Sequence, residues 1–160
     1  LCNEPFFSSW QVRLVGDGVM AEELKRSAAS LRIGGRVRFD PPVSKAEALS
    51  LMEGAGLLFL NLRPDAVFNY TIPSKLFDYL RAGRPIIGGI PGEGAEILAE
   101  SGGNLTFPPN DAAALAAALR SFSQRHEELA RRASDNRRLV AERFSREAAT
   151  VRLLELFQSL

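Results

Sequence analysis

The sequence predicts an α/β protein in which a doubly wound parallel sheet is followed by a C-terminal helical tail. Five short runs of apolar and β-branched residues alternate with stretches of helical period, and Gly, Pro or Asp residues separate them. Strands that alternate with helices form a parallel sheet, because right-handed crossovers return the chain to the same edge. From Gln124 onward only helical stretches follow.

Length and composition indicate one ordinary globular domain. The 160 residues are 46% hydrophobic and 24% charged, and the formal net charge of +1 supplies no field that would attract nucleic acid. Cys2 is the single cysteine and His126 the single histidine, which excludes an internal disulfide and a structural zinc site. No apolar run approaches the roughly 20 residues of a membrane span. Because the sequence begins with Leu1 rather than Met and shows no basic and apolar leader, we expect either a processed chain or a piece of a longer protein, and favour the second.

The first two rounds of strand and helix occupy the amino-terminal third of the chain. Residues 11–15 form a β-rich run that ends at a Gly-Asp-Gly turn, after which apolar residues recur at helical spacing. Residues 36–39 alternate polar and apolar side chains before two prolines. Ser44 and Glu47 then form a capping-box pair that predicts the start of the second helix.

Three further strand and helix pairs are predicted downstream. Residues 57–60 are apolar throughout, as expected of a central strand covered on both faces. Gly83 ends the helix that follows, and Asp111 caps the last helix of the sheet domain. The predicted segments are strands 57–60, 85–87 and 104–107 and helices 73–82, 93–100 and 112–122.

We therefore divide the chain into an α/β domain, residues 1–123, and a helical tail, residues 124–160, that packs on it. Ser145 divides the tail into two helices, since its hydroxyl suits an N-cap. The tail is rich in arginine, which is compatible with contact at an anionic membrane surface. Acidic residues are interleaved with the arginines, however, and pairing along the helices explains the mixture equally well. His126, in this tail, is expected to be a solvated surface histidine.

Ligands of doubly wound sheets bind beyond the carboxyl ends of the strands. At the first such position, Gly16, Asp17 and Gly18 match a loose form of the glycine-rich dinucleotide fingerprint. Asp40 follows the second strand and is placed to bind a ribose, which leaves a nicotinamide-dependent oxidoreductase open as an alternative. The alternative interpretation is that the glycines are present only because a tight turn requires a positive φ angle.

The helix predicted over residues 73–82 carries the more informative pattern. Its apolar side holds Leu76, Phe77 and Leu80, and its polar side holds Ser74, Lys75, Asp78 and Arg81. Free amides at the helix start, together with Ser74 and Lys75, form a pocket suited to a diphosphate. Asp78, one turn further along the same side, is suited to accept two hydrogen bonds from a ribose. An ordinary amphipathic helix with a solvated polar face would show the same pattern.

Several motifs in one order resemble the C-terminal half of GT-B glycosyltransferases of glycosyltransferase family 4. The resemblance covers roughly residues 10–150. The motifs are VGDG, RVRFDPPV, PSKLFDYLRAGRPII, GEGAEIL and NLTFPPNDAAALAAAL.

The resemblance implies a Rossmann-like domain that binds a nucleoside-diphosphate sugar, UDP- or GDP-linked. An N-terminal domain, absent from this chain, would hold a sugar or lipid-linked acceptor. Transfer would proceed with retention of anomeric configuration and without a metal or other cofactor. A cytoplasmic enzyme of cell-surface polysaccharide or glycolipid synthesis, peripheral at the inner face of the membrane, fits this resemblance. We expect the 160-residue chain alone to bind nucleotide weakly and to transfer nothing.

The resemblance also assigns roles to individual residues. Gly16, Asp17 and Gly18 form the turn that lines the cleft, and Val43 lies where the nucleobase is received. The segment that faces the diphosphate consists of Thr71, Ile72, Pro73, Ser74 and Lys75.

Two positions depart from the family's Glu-x7-Glu motif. Asp78 takes the place of the second glutamate, which holds the ribose, and is one methylene shorter. Tyr70 stands where the first glutamate contacts the donor sugar, and a phenol supplies no negative charge. The catalytic candidates are therefore Lys75, Asp78 and Tyr70. Because of Tyr70, a non-catalytic module that keeps the fold is a further alternative.

Overall fold

The computed structural model describes residues 4–159, so Cys2 lies outside the described residues. The strands are β1 (Val12–Val15), β2 (Val37–Asp40), β3 (Leu58–Asn61), β4 (Ile86–Gly89) and β5 (Leu105–Thr106). The helices are α1 (Ala21–Ser30), α2 (Lys45–Gly54), α3 (Ser74–Ala82), α4 (Glu93–Glu100), α5 (Ala112–Arg132), α6 (Ser134–Arg143) and α7 (Arg146–Gln158). Two short 3-10 helices span Pro5–Phe7 and Ala66–Tyr70. The predicted α/β alternation and the helical tail are confirmed.

The chain divides into two compact units between Leu51 and Met52. In the first unit, β1 and β2 pair in parallel, with Val12 opposite Val37 and Val15 opposite Asp40. Parallel pairing brings the turn after β1 and the loop after β2 to the same edge of this sheet.

The second unit holds a three-stranded parallel sheet in the order β3-β4-β5. Its core lies between this sheet and the helices, and the fully apolar strand β4 is buried along its whole length. The buried core residues are Leu58, Leu60, Leu76, Leu80, Ala82, Ile86, Ile90, Ile97 and Leu98. Leu139, Val140 and Phe144 of the tail pack against the same cluster.

Local capping chemistry sets the helix ends as predicted. The Asp111 side chain accepts from the Ala114 amide at 2.9 Å, and the Ser145 hydroxyl accepts from the Ala148 amide at 3.1 Å. Gly83 ends α3 with φ +66°, the left-handed conformation that favours glycine. Of the capping box at α2, the bond from the Glu47 amide to the Ser44 hydroxyl is present at 3.2 Å.

Two expectations about extent and burial are wrong. The helix predicted to end at residue 122 continues to Arg132, because no helix-breaking residue interrupts the chain there. The predicted division between residues 123 and 124 therefore falls inside one continuous helix. In β3, Leu58 and Leu60 are buried, but Phe59 is 49% exposed and stacks on Phe107, so one face of this strand is open.

Candidate nucleotide-binding site

The amino terminus of α3 is open. Pro73 precedes the helix with φ −67° and ψ 129°, an extended conformation that the proline ring favours, and no side chain caps the first turn. The Leu76 amide donates to the Pro73 carbonyl at 2.9 Å, whereas the amides of Ser74 and Lys75 donate to no oxygen of residues 4–159. Two main-chain donors thus face outward at the positive end of the helix dipole.

The side chains of α3 separate as the helical wheel predicts. Leu76 and Leu80 are completely buried in the core of the second unit. The ring of Phe77 lies 5.0 Å from that of Phe144, centroid to centroid. Ser74 and Lys75 are exposed. The apolar side therefore fixes the helix in the core and leaves its polar start accessible.

Asp78 is half-buried and carries a carboxylate that is not used internally. Within the part of the chain that the structure describes, it accepts no hydrogen bond and forms no ion pair. Burial raises the pKa of the neighbouring Tyr79 phenol, and the negative charge of Asp78 raises it further. A half-buried carboxylate without a partner is suited to accept hydrogen bonds from a ligand.

The segment before α3 is held by its own side chains. Asp65 caps the 3-10 helix by accepting from the Val67 amide at 3.0 Å. The Thr71 hydroxyl donates to the Val67 carbonyl at 3.0 Å, and Ile72 packs against the core. Because the Thr71 proton is used, this residue and Ile72 can offer a ligand mainly backbone groups.

Tyr70 ends the 3-10 helix and is 92% exposed. Its phenol is therefore free to meet a ligand or another part of a larger protein. A neutral hydroxyl donates and accepts, but it brings no charge to the site.

The remaining predicted site residues belong to the first unit. Gly16 has φ +125°, and its amide donates to the Asp40 carbonyl at 3.1 Å. The Asp17 carboxylate accepts from the Gly18 amide at 2.8 Å, so it stabilises the turn itself. Asp17, Gly18 and Val19 line a shallow surface depression. Val43, three residues past β2 and half-buried, follows at the same edge of the sheet.

Asp40 is occupied by two arginines. Arg13 reaches one carboxylate oxygen through Nε at 2.8 Å and Nη2 at 2.6 Å, and Arg38 Nε reaches the other at 2.5 Å. The hydrogen bonds from Arg13, and then those from Arg38, hold the pKa of Asp40 below its ordinary value. Since both oxygens already accept charged donors, Asp40 is poorly suited to the ribose role of the oxidoreductase alternative.

Several arginines of the tail form ion pairs with acidic side chains. The pairs are Arg125–Glu128, Arg132–Glu128, Arg137–Glu53, Arg138–Asp135 and Arg143–Glu100. These ion pairs favour the interpretation that the basic and acidic side chains of the tail pair within the protein, rather than that the arginines face a membrane surface. His126 is exposed, as expected, and its Nδ1 lies 3.3 Å from the Ser123 carbonyl.

Sequence reasoning missed the residue that closes the other end of α3. Arg137, on α6, donates to the carbonyls of Arg81 and Ala82. In the sequence, only Gly83 indicated that α3 ends at this point. No residue near Gly83 indicates that Arg137, far along the chain, bonds to the end of the helix.

The parallel strands and flanking helices form a Rossmann-like fold of the kind found in GT-B glycosyltransferases, as the comparison with known proteins shows. The family of glycosyl transferases group 1 matches residues 2–125. This match covers most of the chain, which therefore belongs to the glycosyl transferases group 1 family. No curated protein matches it significantly.

Solved structures agree with this fold. Anabaena Alr3699/HepE in complex with UDP has a TM-score of 0.77 at 18% identity, over 94% of this chain and 41% of that one. Sucrose-phosphate synthase from Thermosynechococcus elongatus has a TM-score of 0.71 at 20% identity, over 93% and 38%. WaaG, a glycosyltransferase involved in lipopolysaccharide biosynthesis, has a TM-score of 0.69 at 17% identity, over 84% and 34%. The chain thus spans between about a third and two fifths of the length of these proteins.

No helix within residues 4–159 is long and apolar enough to cross a membrane. The same residues contain no group of three or more His, Cys, Asp or Glu side chains arranged to hold a metal ion.

Proposed function

We propose that this chain is the donor-binding domain of a retaining glycosyltransferase. The enzyme would transfer a sugar from a nucleoside-diphosphate sugar to an acceptor hydroxyl, in the synthesis of a cell-surface polysaccharide or glycolipid. The observation that carries the proposal is the open start of α3, with the Asp78 carboxylate, which has no partner among residues 4–159, one turn further along. Membership of the glycosyl transferases group 1 family supports it.

The start of α3 provides the chemistry for the diphosphate. The outward amides of Ser74 and Lys75 and the positive end of the helix dipole favour an anion at this position. The Lys75 ammonium adds a full charge. As the bond between the sugar and the diphosphate breaks, negative charge grows on the leaving group, and donors already in place stabilise it without reorganising. Lys75 is thus the main electrostatic catalyst of the proposed reaction.

Asp78 would orient the nucleotide. A carboxylate accepts hydrogen bonds from both hydroxyls of a ribose, and Asp78 has both oxygens available for this. Because aspartate is shorter than glutamate, the ribose would lie closer to the helix than in relatives with a glutamate.

The other candidate residues keep the roles that the resemblance to the family implies. Val43 would receive the nucleobase, and the turn of Gly16, Asp17 and Gly18 would line the cleft. The Tyr70 phenol would contact the donor sugar or a phosphate. Two solved structures of one neighbour, Alr3699/HepE, are complexes with UDP and with UDP-glucose.

A domain that holds the acceptor is needed for transfer, so we expect this chain alone to bind nucleotide and to transfer nothing. A cytoplasmic location and peripheral contact with the inner face of a membrane stay predictions. The structural neighbour WaaG is involved in lipopolysaccharide biosynthesis, which is the synthesis of a cell-surface glycolipid.

Isothermal titration tests the proposal directly. UDP, GDP and ADP are titrated separately into the 160-residue chain at millimolar concentrations, with NADH as the comparison. We expect weak binding of at least one nucleoside diphosphate and weaker binding of NADH. Binding of none of the three would contradict the proposal, and a preference for NADH would favour an oxidoreductase.

A further inference from the structure

The loop between β4 and α4 contains a glycine whose conformation few other residues adopt. Gly92 precedes the first turn of α4 with φ +61° and ψ −146°. This combination belongs to the half of conformational space that L side chains rarely occupy. The position therefore requires glycine on backbone grounds alone.

Gly92 also lies directly against the backbone of Asn69, in the 3-10 helix before α3. A Cβ at position 92 would overlap the carbonyl oxygen of Asn69, and it would lie 3.1 Å from the carbonyl carbon and 3.2 Å from Cα. All three are main-chain atoms, which cannot rotate aside as the end of a flexible side chain can. The lack of a side chain at Gly92 thus sets how closely the two loops approach.

A short, tethered segment links Asn69 to the start of α3. Tyr70 follows immediately, the Thr71 hydroxyl is bonded to the Val67 carbonyl, and Ile72 is anchored in the core. Ser74 is only five residues from Asn69. Because no flexible loop separates Asn69 from Ser74, a displacement of the Asn69 carbonyl must also displace the backbone of residues 70–74.

An ordinary van der Waals contact lies between the starts of α3 and α4. Gly94 is buried, and a Cβ there would lie 3.0 Å from Cδ1 of Ile90 and 3.9 Å from Cδ2 of Leu76. The first turn of α4 therefore packs beside the first turn of α3. The loop after β4 supports the segment before α3 and the helix start together.

We propose that Gly92 is a positioning residue for the nucleotide-binding segment, residues 70–75. By admitting the Asn69 carbonyl, it holds that segment where the amides of Ser74 and Lys75 point outward. This role rests on the proposed function. Gly92 acts through the backbone of Asn69.

The test compares Gly92→Ala with Gly102→Ala in the 160-residue chain. Gly102 also has positive φ, +70°, but a Cβ there meets the guanidinium of Arg132, an exposed side chain that can move. Both variants place alanine in a strained conformation, and we expect both to lower Tm. Only Gly92→Ala should raise the Kd of the nucleoside diphosphate that binds best, by about tenfold, because it displaces the binding segment.

Backbone NMR supplies a readout that a loss of stability alone would not move. In folded Gly92→Ala, the amide resonances of residues 70–72, 74 and 75 should shift, and in Gly102→Ala they should not. Should Gly92→Ala fail to fold, the wild-type chain still provides the test. Addition of nucleotide should then shift the amide resonance of Gly92 and leave that of Gly102 in place.

The outcomes separate this role from the proposed function. A wild-type chain that binds no nucleoside diphosphate contradicts the proposed function, and the role of Gly92 falls with it. If the wild type binds and Gly92→Ala binds as tightly as Gly102→Ala, only the role of Gly92 is overturned. A Gly92 resonance unmoved by bound nucleotide would overturn it as well.

Discussion

Nη2 of Arg137, on α6, donates a hydrogen bond of 2.9 Å to the carbonyl of Ala82, the last residue of α3. Nε of the same guanidinium donates to the Arg81 carbonyl at 3.1 Å, and the Glu53 carboxylate lies 3.5 Å from Nη2. A cation at this position satisfies carbonyls that the helix leaves unpaired, and it opposes the negative end of the helix dipole. The tail thus stabilises the helix whose other end we propose to bind the nucleotide.

Replacing this arginine should destabilise the fold. We expect Arg137→Ala to lower the free energy of unfolding by about 1–2 kcal/mol, because two helix-terminal carbonyls lose a charged donor. Arg138→Ala is the matched control, since Arg138 is exposed and, among residues 4–159, pairs only with Asp135, at 3.4 Å. Its cost should stay below about 0.5 kcal/mol. Equal losses for the two variants in denaturant unfolding would contradict the capping role.

Asn136 should be the more costly residue of α6 to replace. It is fully buried, and its side-chain amide donates to the Arg84 carbonyl at 3.0 Å and to the Asn104 side chain at 3.1 Å. Asn104 in turn donates to Asn136 at 2.9 Å and accepts from the Ile86 amide at 3.1 Å. Asn136→Ala leaves buried polar groups unpaired, which costs about 2–3 kcal/mol.

The matched control for Asn136 lies on the same helix. Ser134 is exposed, and within the part of the chain that the structure describes its hydroxyl bonds only to the Arg131 carbonyl, one turn earlier. Ser134→Ala should change the free energy of unfolding by less than about 0.5 kcal/mol. If the two variants unfold at the same denaturant concentration, the buried amide network does not hold the tail to the sheet.

The sequence predicts local features of this fold well, because their chemistry lies within a few residues. Asp111 and Ser145 cap their helices as expected, and Gly83 ends α3. The two sides of α3 also follow from spacing alone, with Leu76 buried and Ser74 exposed.

Contacts between segments that are distant in the sequence cannot be predicted from local patterns. Arg137 lies 55 residues after Ala82, and Gly92 meets the backbone of Asn69 only through tertiary packing. The pairing of Asp40 with Arg13 depends on the register of β1 and β2. For the candidate site, the start of α3 and Asp78 were predictable, whereas the supports around them were not.

The ion pairs of Asp40 predict a pH dependence of stability. Its pKa is lowered in the folded state, so the unfolded chain binds the proton more tightly. The stabilisation is therefore complete above the unfolded pKa of about 3.9 and is lost as the pH falls through the lowered folded pKa. We expect Asp40→Asn to be less stable than the wild type near neutral pH, with the difference vanishing in strong acid.

Unfolding curves collected across the acid range check this expectation. Asp135→Asn, which removes an exposed carboxylate on α6, serves as the control and should follow the wild type closely. A constant difference between wild type and Asp40→Asn at every pH would show that the pairing does not set the pKa.

Lys75 should distinguish a diphosphate from a monophosphate. We expect the wild-type chain to bind a nucleoside diphosphate more tightly than the matching monophosphate, because the ammonium and the helix start favour the extra charge. Lys75→Ala should weaken diphosphate binding by about tenfold and reduce that preference. Arg81→Ala, a cation removed from the far end of the same helix, should leave both affinities unchanged. An unaltered preference in Lys75→Ala would remove this residue from the phosphate site.

The central claim is that Asp78 holds a ribose beside the helix start that holds the diphosphate. The most direct measurement is the Kd of the best-binding nucleoside diphosphate and of its 2′-deoxy analogue, for the wild type and Asp78→Ala. We predict that the wild type binds the analogue about tenfold more weakly, since a charged acceptor loses its donor. Asp78→Ala should bind both with the same, lower affinity. If Asp78→Ala keeps the wild-type ratio of the two constants, the carboxylate does not hold the ribose and the proposed site is wrong.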